Sequence, residues 1–198
     1  KLKTVPIRKG RSQVYVGFPE TAQGLFDQNV IYLCGADLTA LTLRQKNMLA
    51  EYVRRGGGLI VFGGHKALDR AGLKGSLLED VLPVTGRAGI PPLVTLPGGA
   101  PLARGEAHPV TQFAEFDPSP VCFYLHDLQA RPGAQVLITV GGKPGLVVGK
   151  HGKGRVGVIG MVPFGSPGES QTPFWRWRSW VVLVRALAWW TAGQDEPF

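Results

Sequence analysis

Tyr52-Val53-Arg54-Arg55-Gly56-Gly57-Gly58-Leu59-Ile60-Val61-Phe62-Gly63-Gly64-His65 carries a helix end, a stop and a buried strand in immediate succession. Arg54 and Arg55 stand where cations favour the negative end of a helix. Gly56 is the residue type that accepts the left-handed conformation in which helices end. Leu59 to Phe62 is apolar without alternation, which predicts a central strand covered on both faces. The strand runs into Gly63-Gly64-His65, at the carboxyl end of a sheet strand, where open α/β sheets bind ligands and carry their chemistry.

Working toward the amino terminus, Thr42 and Gln45 form a capping-box pair that opens a helix over Leu43 to Arg55, with Leu49, Tyr52 and Val53 on its buried side. Before it, Asn29 to Cys34 is another continuous apolar run, closed by Gly35-Ala36-Asp37. Residues 29 to 62 therefore read as a β-α-β unit, right-handed by the usual rule. Ser12 to Phe18 reads as a first short strand, followed by a short segment, Glu20 to Asp27.

Toward the carboxyl terminus the loop from Gly64 to Gly75 reads as irregular and polar, and Ser76 to Val81 as a short helix closed by Pro83. From Thr85 to Pro120 only Leu93 to Leu96 reads as a strand, so this stretch is expected to be an insertion or a set of edge elements. Strands follow at Val121 to Leu125, Gln135 to Val140, Gly145 to Gly149 and Arg155 to Gly160, with hairpin turns at Gly141-Gly142-Lys143-Pro144 and His151-Gly152-Lys153-Gly154. Thr172-Pro173 supplies a cap and a first-turn proline for a long terminal helix. Trp177, Trp180, Val181, Val184, Leu187 and Ala188 give that helix an apolar stripe.

The 198 residues suit one α/β domain with a sizeable core, and the 44% hydrophobic and 18% charged content is that of a folded chain. The formal charge of +8 is spread along the sequence with no basic run, which argues against nucleic-acid binding. Cys34 and Cys122 cannot form a disulfide framework, both lie in apolar runs, and no zinc-ligand spacing exists, so no metal or cofactor is expected. No apolar segment is long enough to span a bilayer. The first residue is Lys1, which reads as a soluble domain excised from a longer parent protein.

Taken in order, these segments resemble the class I glutamine amidotransferase-like superfamily, and within it the ThuA-like proteins and the related domains of von Willebrand type A membrane proteins. The resemblance rests on Val30 to Asp37, on Tyr52 to His65, on His108-Pro109-Val110-Thr111, and on Gly152-Lys153-Gly154-Arg155-Val156 with the Trp-rich segment after it. It implies a flavodoxin-like three-layer α/β sandwich with a mainly parallel central sheet, extra short strands in the carboxyl-terminal half and a long Trp-rich last helix. It also implies a membrane-anchored parent protein. Members usually begin with a complete strand-helix-strand ahead of the segment that corresponds to residues 29 to 34, and here only the short segments before Asp27 stand in that place.

An active member carries a cysteine on the strand-to-helix turn and a His-x-Glu relay, because the thiolate attacks the glutamine amide while an oriented imidazole moves the proton. Here the turn is Gly63-Gly64-His65, and none of His65, His108, His126 or His151 is followed two positions later by Glu. Both halves of the machinery are missing. Cys34 is the remaining candidate nucleophile, although a small buried thiol is its plainer reading, as it is for Cys122. His65 is a candidate ligand or acid-base group, with Asp69 four positions on and Asp37 expected at the same sheet end. The amides of Gly63 and Gly64 are candidate anion contacts.

His108-Pro109 reads as a structural corner, His126-Asp127 as a solvated strand end, and Phe174-Trp175-Arg176-Trp177-Arg178 as core with a basic outer face. The functional expectation is a non-catalytic amidotransferase-like module that binds or assembles through another domain, another subunit or a second copy of itself, with room for a small-molecule ligand at Asp37, Gly63, Gly64 and His65. The alternative is a hydrolase or other enzyme of altered chemistry that uses His65 and Asp37, at the carboxyl end of the sheet, on a small polar or sugar-like substrate.

Overall fold

One strand-helix-strand crossover fixes the centre of the molecule. In this computed structural model, which describes residues 8–9, 15–16, 18–19, 21–65, 67–68, 70–86 and 93–195, the chain order begins with strands β1 (Arg8–Lys9) and β2 (Tyr15–Val16). Next come helix α1 (Ala22–Phe26), strand β3 (Val30–Cys34), helix α2 (Leu43–Arg54) and strand β4 (Gly58–Phe62). β3 and β4 pair in parallel, Val30 opposite Gly58 through Cys34 opposite Phe62. The capping box is formed: the Gln45 amide donates to Thr42 Oγ1, and the Thr42 amide to Gln45 Oε1. Gly56 takes a positive φ of 118° at the helix end. Of the expected strand from Ser12 to Phe18, Tyr15–Val16 pairs with Arg8–Lys9, and residues 12 to 14 and 17 lie outside the described residues, as does Glu20.

The chain continues through α3 (Arg70–Leu73), α4 (Leu77–Val81), β5 (Val84–Gly86), β6 (Leu93–Arg104), β7 (Val121–His126), β8 (Leu128–Ala130), β9 (Gln135–Val140), β10 (Lys143–His151), β11 (Gly154–Ile159), β12 (Met161–Val162) and α5 (Trp180–Thr191). Eight strands form the main sheet in the order β12-β7-β6-β9-β10-β11-β4-β3. One face packs against α2 and α4 around Leu49, Tyr52, Leu59 and Val61, the other against α5 around Ile60, Leu137, Leu183 and Leu187. This is the expected three-layer α/β sandwich. Among the described residues no helix is long and apolar enough to cross a membrane.

The sheet is mixed, which corrects the expectation of a mainly parallel one. Only β3-β4 and β4-β11 run parallel, and the remaining neighbours are antiparallel. The reason is connection length. A parallel crossover needs a dozen or more residues and usually a helix, whereas β9, β10 and β11 are joined by the two-residue turns Gly141-Gly142 and Gly152-Lys153. Both residues of the first turn have positive φ, 55° and 80°, as a tight hairpin requires.

Two further expectations need correction. The segment read as an insertion contains β6, an interior strand that pairs with β7 on one side and β9 on the other. Its register breaks between Thr95 and Ala100, where Gly98 and Gly99 have φ of 73° and 77°, so a stretch that reads as a loop is a bulge within a strand. The last helix starts at Trp180, not at Pro173. Phe174–Arg176 is a single 3₁₀ turn, after which Trp177 is extended (ψ 132°) while its indole Nε1 donates to Glu115 O at 2.9 Å. That anchor breaks the helical path and leaves Trp175 and Trp177 outside α5.

Candidate functional site

The carboxyl ends of the parallel strands are closed backbone against backbone. Gly35, just past β3, has φ of 59° and donates its amide to Phe62 O at 3.3 Å. Past β4, Gly63 donates to Ile159 O at 2.7 Å. A Cβ on Gly63 would stand 3.0 Å from Gly160 O, from Met161 O and from the His126 ring. On Gly64 it would stand 2.5 Å from the Cα of Gly35, closer than real Cβ contacts allow. The Gly-Gly pair is therefore needed for close approach. His65 follows as an exposed turn residue.

His126 lies beneath this corner. Its side chain is fully buried, and Nε2 sits 2.9 Å from Gly64 O and 3.3 Å from Gly64 N. The shorter contact assigns the proton to Nε2, which donates to the carbonyl. Asp127, also buried, receives a 3.0 Å bond from Lys143 Nζ. The expectation of a solvated strand end is thus corrected: β12 pairs with β7, and the amide of His126 donates to Gly160 O, which seals the strand end from water. His126 is the residue that sequence reasoning missed here. Its signal was the glycine at position 160 together with Gly63-Gly64, since glycines at strand ends mark close backbone approach.

Asp37 sits at the same sheet end, buried, with Oδ1 accepting from the Thr39 amide at 3.0 Å and from the Thr39 hydroxyl. It caps the 3₁₀ turn Leu38–Ala40. Asp69 lies outside the described residues. Cys34 is exposed, which corrects the buried reading, and partial burial of its sulfur raises its pKa so that the thiol form dominates at neutral pH. Cys122 is buried as expected, donates from Sγ to Tyr124 O at 3.1 Å, and is pushed up to about 11 by burial.

The topology gathers Cys34, Asp37, Gly63, Gly64 and His65 at one end of the sheet. A shallow surface depression lined by Arg104, Gln112 and Phe116 involves none of them. Among the described residues no group of three or more His, Cys, Asp or Glu side chains converges to hold a metal. His108 is a corner as read: its Nδ1 accepts from the Val110 amide at 3.2 Å, and its ring meets Trp190 at 5.1 Å. Phe174 is buried and edge-on to Trp180 at 4.9 Å, while Arg176 and Arg178 are exposed, which matches a core segment with a basic outer face.

A family model described as "Putative glutamine amidotransferase" (GATase1_like) matches residues 17–191. Among solved structures, cytoplasmic protein STM3548 from Salmonella typhimurium superposes with a TM-score of 0.78 at 24% identity, over 89% of this chain and 76% of that one. Cytoplasmic protein STM1381 from Salmonella typhimurium LT2 gives 0.76 at 25% identity, over 88% and 76%. A ThuA-like protein from Parabacteroides merdae gives 0.55 at 14% identity, over 85% and 72%, a likeness of fold. Comparison with curated protein sequences gives no match.

Proposed function

The chain belongs to the glutamine amidotransferase-like family, and from that premise we propose that it acts as a binding or assembly module and does not hydrolyse glutamine. One observation carries the reading: the turn that would hold a nucleophile is closed by contact between Gly64 and Gly35, with an exposed imidazole next in the chain. Acyl transfer needs a nucleophile and a base within hydrogen-bond reach of each other. Of the two thiols, Cys122 is buried in the sheet, and Cys34 is held as the protonated thiol by its surroundings. His126 is already committed to the Gly64 carbonyl.

What remains at this end of the sheet is a rim fit for recognition. Asp37, Gly63, Gly64 and His65 lie where open α/β sheets bind ligands, and they are the proposed contact for a small polar molecule or for another domain or subunit. The carboxylate of Asp37 is engaged by Thr39, which weighs against its orienting His65 for proton transfer.

The test is ammonia release from glutamine by the purified protein, compared with the Cys34→Ala variant. The expected result is the same background in both. Hydrolysis that disappears in Cys34→Ala would overturn the proposal.

A further inference from the structure

The carboxyl end of α5 sits at the opposite end of the sheet from Asp37 and His65. β4 and β11 run in parallel from Gly58 and Arg155, and a Cβ on Gly58 would stand 2.5 Å from the Thr191 carbonyl oxygen. Two basic side chains meet the Trp190 indole here. The Arg155 guanidinium lies 5.2 Å from the ring, donates to Trp190 O at 3.1 Å and pairs with Asp195 at 2.8 Å. The His108 ring approaches the same indole edge-on, with centroids 5.1 Å apart and planes at 75°.

His108 also caps the 3₁₀ turn Pro109–Thr111, where its Nδ1 accepts from the Val110 amide at 3.2 Å. A ring nitrogen that accepts must carry a lone pair, so the neutral imidazole keeps its proton on Nε2. The imidazolium has a proton on both nitrogens and no lone pair left to accept with. Protonation would therefore set Nδ1–H against the Val110 N–H, two donors facing each other. Val110 and Thr111 are both buried, so the amide that loses its acceptor reaches water only if the turn opens.

The groups around the ring favour its neutral form. Arg155 on β11 and Lys150 on β10 both oppose a cation at His108, while Glu106, two residues back, draws one in. Glu106 is itself engaged, since Oε1 accepts from the Val136 amide of β9 at 2.9 Å. Asp195, the other carboxylate nearby, is paired with Arg155. Burial first, and Arg155 second, hold the imidazole below its ordinary 6.5. The folded value lies below the unfolded one, so the cap contributes fully above pH 6.5 and is lost as pH falls through the folded value.

We infer that His108 is a proton-operated latch: as a neutral ring it caps the turn and rests on Trp190, and as a cation it releases the Val110 amide and opens the turn from the end of α5. The opening is local. Farther along, Arg104 donates to the carbonyls of Thr111 and Ala114, and Glu115 is held by Ser179 and Trp177, bonds that do not involve an imidazole. Acid thereby uncovers the Trp190 edge and leaves the sheet intact, so the shape of this end of the domain depends on pH.

NMR of the protein between about pH 4.5 and 8 spans the titration of an imidazole and tests the latch. His108 should titrate below 6.5. Over the same range the protection of the Val110 amide, corrected for the intrinsic exchange rate, should fall about tenfold, as expected for the loss of one hydrogen bond. His108→Asn keeps a side-chain oxygen that caps at any pH, so its Val110 amide should stay protected throughout. His108→Phe keeps a ring against Trp190 without the acceptor and should be open at every pH. Lys150→Glu, at an exposed position, should move the His108 titration upward. Protection at Val110 that ignores the charge on His108, or that falls equally in His108→Asn, would overturn the inference. If the whole chain unfolds over this range, an acid midpoint no lower in His108→Asn than in the parent overturns it as well.

Discussion

His126 and Gly64 are 62 residues apart in sequence, yet the imidazole Nε2 of one lies 2.9 Å from the carbonyl oxygen of the other. This contact ties the antiparallel half of the sheet to the turn after the central parallel strand. In an active amidotransferase that turn presents a nucleophile. Here an imidazole from a distant strand meets it from below.

Removing that imidazole should loosen the junction. His126→Ala removes this donor from the part-buried Gly64 carbonyl, which keeps the Ala67 amide, at a cost of about 0.5–1.5 kcal/mol, and opens a cavity that adds to it. Urea denaturation should show the loss, and hydrogen exchange should quicken at the amides of Gly63 and Ala67, which donate to Ile159 O and Gly64 O. If stability falls while those amides keep their protection, the imidazole fills space without fixing the turn.

Gly64→Ala tests the close approach itself. Its Cβ would press on the Gly35 backbone at 2.5 Å, with no flexible side chain to yield. Overpacking of this kind costs ~1–3 kcal/mol. At Gly86, which has no positive φ, an added Cβ would meet nothing within 4 Å, so Gly86→Ala should stay within about 0.5 kcal/mol of the parent. Equal midpoints for the two variants would show that the turn can move aside.

The first half of this architecture was legible because its signals are local. The capping box of Thr42 and Gln45, the glycine stop and two unbroken apolar runs lie within a few residues of the elements they define. The hairpins at Gly141-Gly142 and Gly152-Lys153 were legible for the same reason. What escaped depended on partners far along the chain. Pro97-Gly98-Gly99 reads as a loop, and only pairing to β7 and β9 on either side holds it in a strand. His126 reads as a strand end in water because nothing near it in sequence announces that β12 and Gly160 close over it. The clustering of Asp37, Gly63, Gly64 and His65 at one sheet end followed from the β-α-β reading. The engagement of Asp37 by Thr39 depends on side-chain geometry that no spacing encodes.

Acid should weaken the end of α2 in a defined window. Glu51 sits at the surface and accepts from Arg54, at 2.7 Å to each of its carboxylate oxygens, and from Arg55 at 2.5 Å. Hydrogen bonds from Arg54, then Arg55, lower its pKa from 4.5 to about 2. The folded value lies below the unfolded one, so the contribution is complete above pH 4.5 and fades as pH falls toward 2. Urea midpoints measured through that window should fall less steeply in Glu51→Gln than in the parent, and added salt should shrink the difference, because exposed ion pairs are screened. Identical slopes in the two proteins would mean that the triad of charges contributes nothing to folding.

The two thiols should separate cleanly by reactivity. Cys34 is exposed at the end of β3, but burial of part of its surface raises its pKa, so only a small thiolate fraction is present at neutral pH. Cys122 is sealed in the sheet, bonded through Sγ to Tyr124 O and pushed up to about 11. In dilute native protein a disulfide reagent should therefore titrate one thiol, slowly, and faster as pH rises, because the thiolate is the reacting species. Denaturant should release the second. Cys34→Ser should abolish the native reaction and leave the denatured one. A fast native reaction at neutral pH that persists in Cys122→Ser would indicate an activated thiolate at Cys34, and with it a nucleophile at the sheet end that the proposed non-catalytic role does not allow.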